Sequence, residues 1–244
     1  MTRQAAPRTA DMWDQWWRIG GICGLAWAIL FIVAAFILQG DSPSRDDSIE
    51  EIRQYFTEDD SVYLLGDYLL AFAFGLFFLV YLVILRRVLS AIDGWPAILA
   101  TVALFAGALT IIWGAIAGFF WGALALGASN PEIDDSAVRT LMEIDTYAFA
   151  GLQFPLGVFL GAAGLNILLS GTLFPRWLGI IALVAAIGAL IGAAWPIDGD
   201  DEGVIASIGL IGLLGALVFV VISSVLLLIR PEPPLVVEPP GRAY

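Results

Sequence analysis

Residues 97–127, AILATVALFAGALTIIWGAIAGFFWGALALG, decide the fold: they run for 31 residues without one ionisable side chain. As a helix at 1.5 Å per residue this stretch measures about 46 Å, whereas crossing the ~30 Å hydrocarbon core of a bilayer takes roughly 20 residues. A helix on a soluble core would show one apolar face and one polar face, and this stretch shows neither. Working outward from it, five more apolar segments appear at 19–38, 62–85, 146–170, 177–195 and 204–229, separated by short charged connections. The expected fold is all-α: a polytopic transmembrane helix bundle of six spans, whose third span must tilt, kink or project beyond the membrane. Composition agrees, since 60% hydrophobic and 14% charged residues with a mean hydropathy of +0.89 fall outside the soluble globular range.

The connections alternate in charge. Arg86 and Arg87 follow the second segment, Arg176 precedes the fifth and Arg230 ends the sixth; with Arg3, Arg8, Arg18 and Arg242 on the tails, eight of the 11 basic residues fall on one side. The positive-inside rule makes that side cytoplasmic, places both termini there, and reads the chain as a multi-pass protein of the plasma membrane of a prokaryote. Arg45, Arg53 and Arg139 are the exceptions. The opposite side holds 17 Asp and Glu near 41–60, 132–145 and 198–202, for about −14 net. A cleavable signal peptide competes as the reading of the first segment, but no small-x-small site follows it, so it is read as a span.

This layout divides the chain into a cytoplasmic segment 1–18, a six-helix domain 19–229 and a proline-rich tail 230–244. Trp13, Trp16 and Trp17 just before Arg18 suit an amphipathic helix at the headgroup level. Ile49, Ile52 and Phe56 recur at helical spacing in the first outer connection, as do Val138, Leu141 and Met142 ahead of the fourth span; short helices capping the bundle are expected there.

Histidine and lysine are absent and Cys23 stands alone in the first span, which removes imidazole chemistry, histidine metal ligation and an intramolecular disulfide. No phosphate-cradling loop, zinc spacing, nucleophile–base set or carboxylate pair within the spans is visible, so no catalytic residue, metal or cofactor is expected. The acidic run at 198–203, DGDDEG, matches no calcium loop and reads as a solvated turn. A net charge of −12 argues against nucleic acid.

Ionisable groups inside spans are costly and therefore the first candidates for function. Asp67, about five residues into the second span, is either an interfacial acid facing an outer vestibule or a cation or proton site facing Tyr63, Tyr68 or the outer amphipathic helix. Gln153 and Pro155 form the second candidate: the proline ring removes a backbone donor, frees the Gly151 carbonyl and predicts a kink that lines a cavity or is satisfied by a neighbour. Asn166 is the third, with interhelical hydrogen bonding as its ordinary use, as for Thr110, Ser207, Ser223 and Ser224. Gly114, Gly118 and Gly122 form a GxxxGxxxG face, accompanied by Gly157 and Gly161 and by Gly188 and Gly192; such faces serve helix packing within the bundle or a dimer seam.

The run LFPRWLGIIALVAAIGALIG at 173–192 and the six-span layout resemble uncharacterised six-helix integral membrane proteins of high-GC bacteria, especially actinobacteria. That resemblance implies no activity and no catalytic residues. The arginine-only, acid-rich composition is also similar to that of haloarchaeal proteins. The expected function is a non-catalytic accessory, structural or regulatory component whose partners are membrane lipids and a membrane-protein partner or second copy. The alternatives are a carrier or channel for a small neutral or apolar molecule, and a lipid-modifying enzyme.

Overall fold

The computed structural model describes residues 9–40, 42–58, 60–90, 95–170, 174–198 and 203–229. The described residues form an all-α bundle, and among them six helices are long and apolar enough to cross a membrane, at Trp16–Leu38, Val62–Leu89, Trp95–Ser129, Asp135–Ser170, Arg176–Ile197 and Val204–Ile229. In chain order, α1 (Thr9–Ile32) ends in a π-helical stretch (Val33–Leu38), α2 (Ile49–Glu58) lies outside the spans, and α3 (Asp60–Phe72) passes through a second π-helical stretch (Ala73–Phe78) into α4 (Leu79–Leu89). There follow α5 (Trp95–Ser129), α6 (Asp135–Ser170), α7 (Arg176–Gly192), the single turn α8 (Trp195–Asp198) and α9 (Val204–Ile229). The tail, residues 1–8 and most of the acidic run at 198–203 fall outside the described residues.

Consecutive spans are neighbours, and α1 closes the ring on α9. Closure depends on α1 glycines: a Cβ on Gly21 would meet the Ser224 carbonyl oxygen at 2.7 Å, and one on Gly24 would overlap the Ser224 hydroxyl. Such smooth surfaces let backbones approach without a hydrophobic driving force between helices. α6 is the innermost span, with 67% of its apolar window buried against 28% to 44% for the others, and it touches α4, α5, α7 and α9.

The centre of the bundle is a column of rings. Trp27 stacks on Phe31 and Phe78 at 5.4 and 4.9 Å between centroids; Phe78 stacks on Tyr81 and meets Phe159 edge-on; Phe159 meets Phe219 at 6.0 Å. Counting from the arginine ends of their helices, Phe159 and Phe219 lie about 15–17 Å deep, the middle of the hydrocarbon slab. Offset and edge-to-face pairs of this kind each add about 0.5–1.5 kcal/mol beyond area burial.

A second, smaller core sits at the acidic end, where Ile52 and Phe56 of α2 are fully buried against Leu124, Ala125 and Ala128 of α5 and Val138 and Met142 of α6. Capping by α2 is thus real, and its start follows from Ser48: the Glu51 amide donates to the Ser48 hydroxyl (3.2 Å) and the Ser48 amide to the Glu51 carboxylate (2.9 Å), a reciprocal capping box. Arg53 holds this crown to the α5–α6 turn by donating to the Ala128, Asn130 and Ile133 carbonyls and pairing with Asp135 at 2.8 Å. Arg139 donates to the Arg45 and Asp47 carbonyls. Two of the three arginines on the acidic side are therefore occupied by the crown's own backbone.

Two local expectations change. Val138, Leu141 and Met142 belong to no separate surface helix, because α6 runs unbroken from Asp135. Trp16 and Trp17 likewise sit on the same helix as the first span, since α1 begins at Thr9 and its one weak point, Gly20–Gly21, is held by packing against Ile84 and Leu228. α6 is helical on both sides of Pro155, and Pro155 and Gln153 are both buried among neighbouring spans.

Candidate functional site

Asp67 points neither at Tyr63 nor at Tyr68. Tyr63 stacks on Tyr55 at 4.2 Å and Tyr68 is exposed, while the Asp67 carboxylate lies against the α5 glycine face: a Cβ on Gly118 would overlap one oxygen, and one on Gly122 would meet the other at 3.5 Å. Asp145 of α6 lies near enough to feel the Asp67 charge. The sequence reading puts Asp145 in the outer connection, whereas α6 extends back to Asp135 and makes Asp145 part of the helix. Both acids are half-buried, and among the described residues no hydrogen-bond donor reaches either one.

Depth follows from helix rise. Asp67 is 22 residues from Leu89, Gly118 is 23 from Trp95 and Asp145 is 25 from Ser170, which puts all three about 33–38 Å from the arginine end, at the acidic boundary of the ~30 Å core. The crown roofs this level: Trp121, one turn beyond Gly118, packs edge-on against Phe56 at 5.1 Å, and its buried indole N–H has no acceptor among the described residues. Two like charges in one bundle, partly removed from water, repel; a cation or a shared proton close to both relieves that repulsion.

The other candidates lie apart from this pair. Gln153 is buried between α7 and α9, its side chain lodged where Gly192 and Gly209 lack one: a Cβ on Gly192 would overlap the amide oxygen, and one on Gly209 would meet it at 2.7 Å. That oxygen has no donor among the described residues. The Gly151 edge of the proline turn faces Trp113 of α5 instead, 3.0 Å from where a Cβ would stand. Asn166, at the arginine end, donates from Nδ2 to the Leu89 carbonyl (3.1 Å) and the Pro96 carbonyl (2.5 Å), tying the α4–α5 connection to α6. Tyr81 and Ser223 share a hydrogen bond of 2.6 Å between α4 and α9.

The glycine faces divide. Gly114, Gly118 and Gly122 meet side chains of Leu152 and Asp67; Gly157 meets Leu190 and Gly161 meets Ala186. Gly188 meets the backbone of Gly212 on α9, and Gly192 meets the Gly209 backbone as well as the Gln153 amide; neither α9 glycine is singled out by the sequence reading. Asp145, Trp121, Gly209 and Gly212 are thus the site and seam residues missed; of these only the acid, ten residues into a helix whose start Asp134 and Asp135 signal as caps, left a readable trace. Compared with known protein families, curated proteins and solved structures, the chain finds no match in any of the three.

Proposed function

We propose that this chain is a non-catalytic component of the plasma membrane of a prokaryote, arginine end in the cytoplasm, that works through its outer faces on lipid, on a membrane-protein partner or on a second copy. The observation that carries this reading is the midplane column of Trp27, Phe31, Phe78, Tyr81, Phe159 and Phe219, which fills the axis along which a solute would have to pass. The buried polar side chains support it too, since Asn166, Tyr81 and Ser223 are spent on ties between helices. The test is reconstitution of the purified chain in liposomes together with intact-complex mass spectrometry from native-lipid nanodiscs. A stoichiometric protein partner or a dimer, with solute flux no higher than in empty liposomes, is expected; flux carried by the chain alone overturns the proposal.

A second reading, a carrier for a small molecule, is favoured by the Asp67–Asp145 pair and the side-chain-free strip at Gly118 and Gly122 beside it. It requires the ring column to part. Asp67→Asn and Asp145→Asn would then abolish a flux that the parent chain sustains.

A further inference from the structure

Two of the six spans leave the α-helical ladder, and they are the two that the crown helix α2 connects. The first widens into a π-helix at Val33–Leu38, where the Gln39 amide reaches back five residues to the Ala34 carbonyl at 3.0 Å. The second widens at Ala73–Phe78 and then tightens at once, the Leu79 amide donating to the Leu76 carbonyl three residues back. Among the described residues the other four spans hold no such turn. Sharp bends in helices occur at π turns, and such turns recur at functional sites.

Packing explains part of this. Residues four and five apart come round to one face of a π turn, and Phe74 and Phe78 both meet Trp27, at 5.5 and 4.9 Å between centroids. Packing does not explain Gly75. Among the described glycines of the spans, Gly75 alone has no atom within 4 Å of where a Cβ would stand, and it is exposed. A glycine inside a helix costs stability relative to alanine, and here no close approach offsets that cost. What the residue supplies is backbone freedom, at a turn where the ladder is already irregular.

On the acidic side of the two π turns the chain is tied into one unit. Tyr55 of α2 donates to the Gln39 carbonyl at the end of the first span and stacks on Tyr63 of α3, while a Cβ on Gly66 of α3 would meet the Gln39 and Leu38 side chains at 3.3 and 3.5 Å. On the arginine side, α1 and α4 are held to α9, by Gly21 and Gly24 against Ser224 and by the Tyr81–Ser223 hydrogen bond. The π turns are thus the joints between a part fixed on α9 and a part that carries the crown. We propose that they form a paired hinge, with Gly75 as its pliant point, on which α2, α3 and the end of the first span tilt as one unit relative to α9. The hinge goes beyond the reading of this chain as a component that works through its outer faces, and its test is independent of flux and of partner capture.

The full chain carrying Cys23→Ser is spin-labelled at two introduced cysteines in lipid nanodiscs, and pulsed electron double resonance reads the distance distribution. The outer pair is Leu65→Cys on α3 with Ile211→Cys on α9; the control pair, Val83→Cys on α4 with Ile180→Cys on α7, lies on the arginine side of both π turns, and all four positions are exposed. Two resolved distances are expected for the outer pair and one for the control. Gly75→Ala, which fills open space and favours regular helix, should change the ratio of the two outer distances by about two- to fivefold, with a thermal midpoint no lower than the parent's. Arg53→Gln, which frees the crown from the α5–α6 turn, should raise the share of the distance that Gly75→Ala lowers. A single outer distance in the parent chain overturns the hinge, as does a ratio that Gly75→Ala leaves unchanged. Two distances in the control pair overturn it as well, because the whole bundle would then be moving.

Discussion

The same sequence device, glycine at every fourth position, is used in two different ways in this molecule. On α7, Gly188 and Gly192 meet Gly212 and Gly209 of α9 backbone to backbone: a Cβ on Gly188 would stand 2.9 Å from the Gly212 nitrogen, and one on Gly212 would overlap the Ala189 nitrogen. On α5, Gly114 has ordinary contact with Leu152 at 3.4 Å, while Gly118 and Gly122 face the Asp67 carboxylate. One face brings two helices together; the other makes room for a charged side chain. What separates them is the residue on the opposite helix at the same height. Glycine facing glycine gains backbone contact, whereas glycine facing an aspartate at the membrane boundary leaves that carboxylate room beside a second one.

Single substitutions sharpen this contrast. Gly212→Ala adds one methyl group where only rigid backbone can yield, so it should destabilise the bundle by about 1–3 kcal/mol, the ordinary cost of overpacking, and lower the thermal midpoint in detergent. Replacing Asn166 by Leu strands the Leu89 and Pro96 carbonyls and should cost about 1–2 kcal/mol in the same assay, a control for a tie that involves no glycine. The identical methyl in Gly118→Ala meets only the end of the Asp67 side chain, which can swing away. Helix propensity returns about 0.5–1 kcal/mol, so stability should change by less than about 1 kcal/mol either way. A Gly118→Ala loss as large as that of Gly212→Ala would erase the distinction between the two faces.

The smallest expected effect lies outside the membrane. The Ser48 backbone N–H and hydroxyl hold the Glu51 carboxyl below its ordinary 4.5, because both bonds favour the carboxylate. The stabilisation of α2 is therefore complete above that ordinary value and is lost as pH falls through the lower, folded one. Hydrogen exchange of the α2 amides should quicken relative to those of α6 across that acidic window, and Glu51→Gln should flatten the pH dependence.

The six spans were legible because a bilayer demands long apolar runs, and 97–127 could be nothing else. Where the helices began outside the bilayer was not legible by the same criterion. Hydropathy loses its signal at residue 146, yet the hydrogen-bonded ladder of α6 starts at Asp135, and the ten residues between contain Asp145. That Asp145 comes within reach of the Asp67 charge depends on the rotation of α3 and α6 about their own axes, which a pattern of apolar residues buried or lipid-facing on nearly every side does not specify. Gly209 and Gly212 escaped notice for a related reason. They recur at three residues, with Gly215 after them, and their importance comes from the α7 glycines opposite. Asn166 was read as interhelical glue or a binding residue, and the two carbonyls that occupy its amide lie 70 and 77 positions earlier in the chain.

Arg53 has a consequence for how the protein is made. Its partners, Ala128, Asn130, Ile133 and Asp135, lie 75 to 82 residues further along the chain. In the proposed orientation, the connection carrying Arg53 crosses the bilayer while the segment that will receive it is still inside the ribosome or not yet translated. The crown therefore closes only after the third span has inserted and the α5–α6 turn has followed it across. A chain stalled before that point would leave α2 open to an externally added protease, and a completed chain would shield it.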